Sequence, residues 1–285
     1  MGNHVTGKSL REAILRDVDN LPPMPRVMHK ARHVLDDPRS SLKDLAGLIE
    51  TDPALAIKVL RLSNSAYYSR FQKVSSIQEA AVVLGLKILG ELLTVACSAK
   101  FLDRSLNGYK ISADAMWRHC LSVAVGARIV ANKTHPAVAN EAFSAGLIHD
   151  AGKLILDRYI LEREEAFSSF LADGDETFLS AEKSILGFDH AEIAARVCEK
   201  WNFPKSVSAA IKYHHSPSRF RGNELAYIVH VSDQLAIWSG MATDGISLEI
   251  GDSAFDVLGI TIEEIGPIMD EVVCSVNQIA ENIEV

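Results

Sequence analysis

GLIHDAGKLIL, residues 146–156, is an apolar helical pattern interrupted by three ionisable side chains, His149, Asp150 and Lys153. Leu147, Ile148, Leu154, Ile155 and Leu156 mark the segment as buried. An ionised carboxylate in such a place is costly unless something compensates it. Asp150 therefore needs a cation, a lysine or a metal. The adjacent imidazole favours the metal, because His and Asp are both good ligands for a divalent transition ion. The rest of the chain must then supply the other ligands.

With 285 residues, 48% hydrophobic and 23% charged, the chain suits a soluble protein of one large or two modest domains. A net charge of −8 and the absence of a Lys/Arg cluster argue against direct nucleic-acid binding and against anionic membranes. No apolar run is expected to reach the roughly 18–20 residues of a membrane span, and MGNHVTGKSLRE has no apolar core for a signal peptide. Cys97, Cys120, Cys198 and Cys274 form no CxxC pair, and three of them sit in helical patterns. They read as reduced core thiols of a cytoplasmic protein.

Nearly every segment has helical period, so the expected class is all-α. A short amphipathic helix spans 9–19, LPPMP (21–25) breaks it, and a helix follows over 26–35. Ser41 and Asp44 form a capping box before the helix 42–50, and Asp52-Pro53 supply an N-cap and first-turn proline for the next helix. NSAYYSRFQKV (64–74) is a loop. Ser76 and Glu79 are a second capping box, opening an apolar helix or helix pair over 77–101 whose Gly85 and Gly90 mark close packing or a break. DRSLNGYKIS (103–112) is the best boundary between two helical blocks. The second block carries helices at 113–132, about 138–157, 161–172, 176–186, 190–200, 205–214 and 223–239. After the loop TDGISLEIGD come 253–258 and an amphipathic helix 262–282 that covers the bundle or forms a dimer contact.

The second block also carries a candidate ligand series: His119, the pair His149-Asp150, His190, the pair His214-His215, and Asp233. Each lies on or at the end of a helix whose other face is apolar, so packed helices can bring them together in a bundle core. Neutral imidazoles supply nitrogen, and a carboxylate can bridge two ions. A set without cysteine favours Fe or Mn, with Ni, Co or Zn as further candidates, bound as one or two ions. Lys153, three residues beyond Asp150, either neutralises a phosphate or pairs with Asp150. Taken singly, each residue has an ordinary structural reading: a hydrogen-bonded core histidine, a helix C-terminus at His214-His215, an ion-pair partner at Asp233. Their joint occurrence is what points to a metal. His4, His29, His33, His135 and His230 read as structural or surface residues, although His230 lies one turn before Asp233.

On these residues the second block resembles an HD-superfamily phosphohydrolase domain. His119 falls at the first histidine, His149-Asp150 at the HD doublet followed by Gly152-Lys153, and Asp233 at the last metal carboxylate. His190, His214 and His215 match the extra ligands of two-metal branches. The resemblance implies one ion on His119, His149, Asp150 and Asp233, and a second that shares Asp150 and takes His190, His214 and His215. The first block, with LPPMPRV, DDPRSSLKDLAGLIETDPALAIKVLRLSNSAYYS and SSIQEAAVVLGLKILGELL, is similar to the HDOD family, a regulatory relative of HD enzymes.

The resemblance covers about residues 20–240. It implies a multi-helix bundle of the HD-domain type with an N-terminal helical subdomain: an extension at 1–20, an HDOD domain at 21–240 (21–105 and 113–240), and C-terminal helices at 241–285. Family members commonly serve bacterial signalling and many have lost their metal ligands, whereas this chain keeps the series. The function implied is a signalling or regulatory protein that binds a protein partner or a ligand, with a mono- or dinuclear metal centre. A homodimer and a nucleotide or phosphate ligand are further expectations. The alternative is a metal-dependent phosphohydrolase with Asp150 and Lys153 as its catalytic residues. The residues after His215, SPSRFRGNE, hold no GYP-like motif, and position 115 is alanine where some cyclic-dinucleotide phosphodiesterases have a third-metal glutamate. Hydrolysis of cyclic di-GMP is therefore not carried over.

Overall fold

The structure, a computed structural model, describes residues 7–21, 26–69, 73–102, 104–172, 176–220, 222, 224–241 and 253–281. The proline break at 22–25, part of the 64–74 loop and the 243–252 loop lie outside the described residues. Among the described residues there is no strand, only one isolated antiparallel bridge between Leu106 and Ile111. The protein is all-α.

The N-terminal block is α2 (Arg26–Asp36), α3 (Leu42–Glu50), α4 (Pro53–Ser63) and α5 (Ile77–Leu102). Local chemistry sets its boundaries. Ser41 and Asp44 cap α3 reciprocally, and the Asp52 carboxylate accepts from the amides of Ala54 and Leu55 at 3.1 and 3.2 Å at the start of α4. At α5 the predicted box is shifted by one residue. The Ser76 hydroxyl accepts from Glu79 N at 3.1 Å, but the Glu79 carboxylate accepts from Ser75 N at 2.7 Å. The two glycines of α5 divide the two roles expected of them. Gly85 has φ +81° and breaks the helix. At Gly90 an added Cβ would lie 2.7 Å from Leu35 Cδ1, so that glycine admits close packing of α2.

One expectation is corrected here. Ile77–Cys97 is long and apolar enough, with a mean hydropathy of 2.0, to cross a membrane by composition alone. Its apolarity has a structural reason: Leu89, Leu92, Leu93 and Val95 are buried, and α5 packs against α3 and α4. A helix apolar on several faces is what a central core helix requires.

The bundle comprises α6 (Ala113–Thr134), α7 (Ala139–Ile148), α8 (Lys153–Leu161), α9 (Glu164–Leu171), α10 (Phe178–Ala181) with a π-helical continuation at Glu182–Leu186, α11 (His190–Lys200), α12 (Lys205–Tyr213) and α13 (Glu224–Trp238). Its centre is α6, packed against α7 and α13. Helix α1 (Gly7–Asn20) buries Leu10, Ile14 and Val18 and lies against α8 and α11. The Lys200 ammonium donates to the carbonyls of Val18, Asp19 and Leu21, satisfying the otherwise open end of α1. The helix α14 (Ser253–Leu258) lies against α13. In α15 (Ile262–Ala280), Ile268, Val272, Val276 and Ile279 are buried and the helix packs on α6 and α13, so its apolar stripe is used within the fold.

Two local readings change. Residues 104–112 form a docked turn rather than a loose connection: Leu106, Tyr109 and Ile111 are buried, and Gly108 N donates to Asp157 Oδ1 at 2.7 Å. The helix expected over 138–157 is two helices, with His149 to Gly152 forming the turn between α7 and α8. Gly152 lets α11 approach that turn closely, because a Cβ there would lie 2.0 Å from the His190 carbonyl oxygen. Gly152→Ala is expected to cost about 1–3 kcal/mol through overpacking against backbone. Gly47→Ala, in mid-α3 with nothing within 4 Å of the new Cβ, should stabilise by about 0.5–1 kcal/mol. Urea melts of the two variants check the contrast, and equal effects would refute the close approach at Gly152.

Candidate metal centre

Five segments deliver the cluster. His119 comes from α6, His149 and Asp150 from the α7–α8 turn, His190 from the start of α11, His214 and His215 from the end of α12, and Asp233 from α13. The turn lets the His149-Asp150 pair leave the helical surface and enter the bundle between α6 and α11. All seven predicted side chains meet there. His119, His149, Asp150, His190, His214 and Asp233 are at most 3% exposed, and His215 is partly buried.

Four of the five rings are oriented by a hydrogen bond on the far nitrogen; His215 Nδ1 has no such partner. His119 Nδ1 donates to the Met241 carbonyl at 2.8 Å, His149 Nδ1 to Gly146 O at 2.7 Å, and His214 Nδ1 to Ile211 O at 2.6 Å. These bonds place a proton on each Nδ1 and aim the Nε2 atoms inward, where they can coordinate once deprotonated. His190 Nδ1 is held by the Glu182 carboxylate at 2.8 Å. Around Asp150 the donors divide by oxygen: Oδ2 lies 3.4 Å from both His119 Nε2 and His149 Nε2, and Oδ1 lies 3.3 Å from His190 Nε2. Asp233 Oδ1 lies 3.2 Å from His119 Nε2, and His215 Nε2 lies 2.7 Å from His190 Nε2. Lys153 Nζ stands 2.9 Å from Asp150 Oδ2, which realises the pairing role.

Burial and charge act against each other throughout. Burial opposes the charge of Asp150, but His149, Lys153 and His119 hold it well below the usual carboxylate range. Asp233 is likewise disfavoured by burial and brought down to about 2 by His119. Burial would neutralise His119, yet Asp150 and Asp233 raise it to about 10; His190, buried too, is raised to about 9 chiefly by Glu182. Burial dominates at His214, lowered to about 3, and at His215, also far below its ordinary value.

These residues fit a divalent cation. His149 Nε2 and His214 Nε2 are buried with no hydrogen-bond partner, a condition that buried polar atoms rarely keep without an ion or water. Three groups have ligand atoms within 4.8 Å of one another: His119, His149 and Asp150; His149, His214 and Asp233; and His190, His214 and His215. His214 therefore faces both halves of the cluster, where the sequence resemblance assigned it to one. Three carboxylates (Asp150, Asp233, Glu182) hold protons on Lys153, His119 and His190, and a divalent cation would take the place of the imidazole protons. The four cysteines are thiols; Cys120 and Cys198 lie in the core, whereas Cys274 is exposed.

Three participants escaped sequence reasoning. Glu182, fully buried, lies in the π-helical turn; such turns are frequent at functional sites, but no spacing rule marks this one. Tyr109 OH donates to Glu182 Oε1 at 2.6 Å from a turn that reads as a linker. His230, buried as well, donates from Nδ1 to the His214 carbonyl at 2.7 Å, which fixes the end of α12.

Comparison with known proteins agrees with this architecture. An uncharacterised protein of Treponema pallidum (strain Nichols) is 24% identical over 208 residues, 73% of this chain and 40% of its own length, so the chain spans well under half of that relative. The crystal structure of an HDOD domain protein of unknown function from Geobacter sulfurreducens superposes with a TM-score of 0.78 at 21% identity, covering 96% of each chain. A candidate phosphohydrolase from Shewanella amazonensis superposes with a TM-score of 0.75 at 24% identity, covering 99% of this chain and 100% of its own. The family profile of the HDOD domain matches residues 21–217, a stretch that runs from the start of the N-terminal block through the His214-His215 pair; the chain belongs to the HDOD domain family.

Proposed function

We propose that the protein is a bacterial, cytoplasmic HDOD-type regulatory protein that works by binding a protein partner, with a divalent metal centre that orders its bundle. The donors would be His119, His149, Asp150 and Asp233 for one ion and Asp150, His190, His214 and His215 for a second. Fe or Mn fits this sulfur-free set best, ahead of Ni, Co or Zn. Such an ion supplies charge balance for the buried carboxylates and a tie between α6, α11, α12 and α13.

The observation that carries the reading is closure. Six of the seven donors are at most 3% exposed, and Asp150 is covered by Lys153, itself 2% exposed. Catalytic metal sites keep a position open to water or substrate, and structural ones do not. Assembly as a homodimer belongs to the same proposal, on surfaces other than the buried stripe of α15.

A second reading, a metal-dependent phosphohydrolase acting on a nucleotide or related phosphoester, is favoured by the division of Asp150. Its two oxygens face two donor groups, as a carboxylate shared between two ions would. Lys153 would then meet the phosphate. A nucleotide held without turnover is its non-catalytic form.

Protein purified without chelator is expected to contain one or two divalent ions per chain and to lose thermal stability when they are removed. It is also expected to turn over none of a panel of phosphomonoesters, nucleotides and cyclic dinucleotides. Metal analysis with no bound ion would end the metal reading, and turnover of any panel member would replace the regulatory one.

A further inference from the structure

The imidazoles of the cluster are not backed alike. Among His119, His149, His190 and His214, three direct Nδ1 at a backbone carbonyl, and His190 alone directs it at a carboxylate. We propose that Glu182 is a positioning residue that makes His190 the stronger donor of the cluster, and that Tyr109 holds Glu182 for that task. The inference rests on the metal-centre reading above.

Glu182 is 0% exposed and opens the π-helical turn Glu182–Leu186, which precedes Asp189, the N-cap of α11. Its oxygens are fully engaged. Oε2 accepts from His190 N at 2.8 Å and from His190 Nδ1 at 2.8 Å, and Oε1 accepts from Tyr109 OH at 2.6 Å. Gripping both the backbone and the ring of His190, the carboxylate leaves that ring one orientation, with Nε2 toward Asp150 Oδ1 at 3.3 Å. A buried carboxylate has no reason of its own to be there, since burying it costs more than burying a neutral side chain of equal size. What it supplies is basicity: an imidazole that donates to a carboxylate gives its other nitrogen more electron density than one that donates to a carbonyl.

Tyr109 extends the chain outward. It sits on the docked turn that joins α5 to α6, so the connection between the two blocks ends on the group that orients a ligand. Its ring also lies 5.7 Å from Lys153 Nζ, on the same side of the site.

The test uses the full chain stripped of metal and titrated with Co(II), followed by calorimetry and by the visible ligand-field bands. Glu182→Gln keeps the shape and removes the charge. It is expected to fold, to weaken Co(II) binding roughly 10- to 100-fold, and to shift the visible bands, which a residue serving only the fold would not move. Tyr109→Phe keeps the carboxylate and should give a smaller shift in the same direction; it decides the matter if Glu182→Gln does not fold. Folded variants with wild-type affinity and bands would overturn the role of Glu182. Wild-type protein that takes up no Co(II) would instead sink the metal-centre reading itself, so the two failures are distinguishable.

Discussion

Asp150→Ala is expected to empty the metal centre and to destabilise the metal-free protein as well. The carboxylate is within 3.4 Å of His119, His149 and His190 and 2.9 Å of Lys153. No other side chain of the cluster reaches both halves through separate oxygens. Its removal leaves the Lys153 ammonium, 2% exposed, without its buried anion. Breaking a buried pair from one side costs about 3–5 kcal/mol, and at about 2–4 °C per kcal/mol for large domains the melting temperature should fall by roughly 6–20 °C. The loss of metal adds to this in protein that would otherwise be loaded. Metal analysis and thermal melts, each with and without chelator, separate the two parts. Unchanged metal content in the folded variant would refute the role assigned to Asp150.

Arg128→Leu should be comparably damaging, for a reason unrelated to metal. Arg128 in α6 reaches across to the N-terminal block, where its guanidinium donates to the Glu91 carboxylate of α5 and to Tyr67 OH and lies 4.7 Å from the Phe143 ring centre. The Arg128 and Glu91 side chains are 12% and 8% exposed. Without Arg128, Glu91 is a buried charge with no partner, again about 3–5 kcal/mol. The pH dependence carries a definite sign. Burial already raises Glu91 above its ordinary value even with Arg128 present. The folded state then holds this proton more tightly than the unfolded one, so stability contributed by protonated Glu91 is lost as pH rises from about 4.5 through the folded value. Removing the guanidinium raises that folded value further. The deficit of Arg128→Leu relative to wild type should therefore be larger at pH 7 than at pH 5 in urea melts. A deficit independent of pH would show that lost packing over Phe143, and not the unpaired carboxylate, is what the substitution removes.

Much of this was legible from residue types and spacing, and the reasons differ by element. The starts of α3 and α4 follow from Ser41, Asp44, Asp52 and Pro53, because capping is a contest between groups three residues apart and needs no tertiary partner. The convergence of His119, His149, Asp150, His190, His214, His215 and Asp233 was legible because each polar residue stood on an otherwise apolar helix, and an apolar helix has few places to turn. The break at 149–152 was not, since apolar residues on both sides continue the helical period. The glycine at 152 was equally opaque: a Cβ there would lie 2.0 Å from His190 O, a contact with α11 that the local sequence does not show. The Tyr109 turn misled for a related reason: Asn107-Gly108 has the composition of a linker, and burial by Asp157 and Glu182 comes from segments 49 and 73 residues away.

The sequence by itself determined the class, the helix boundaries set by caps, and the residues that could hold a metal. These rest on local hydrogen bonding and on the periodicity of apolar side chains, which act along the chain. Tertiary structure alone decided that GLIHDAGKLIL contains a turn between two helices and that His214 faces both donor groups. It also decided that Glu182 backs His190 and that the site is closed to solvent. Each of these depends on how closely separate helices approach, and that distance is fixed by side-chain volume and by glycines such as Gly90 and Gly152, in contacts that no window along the chain contains.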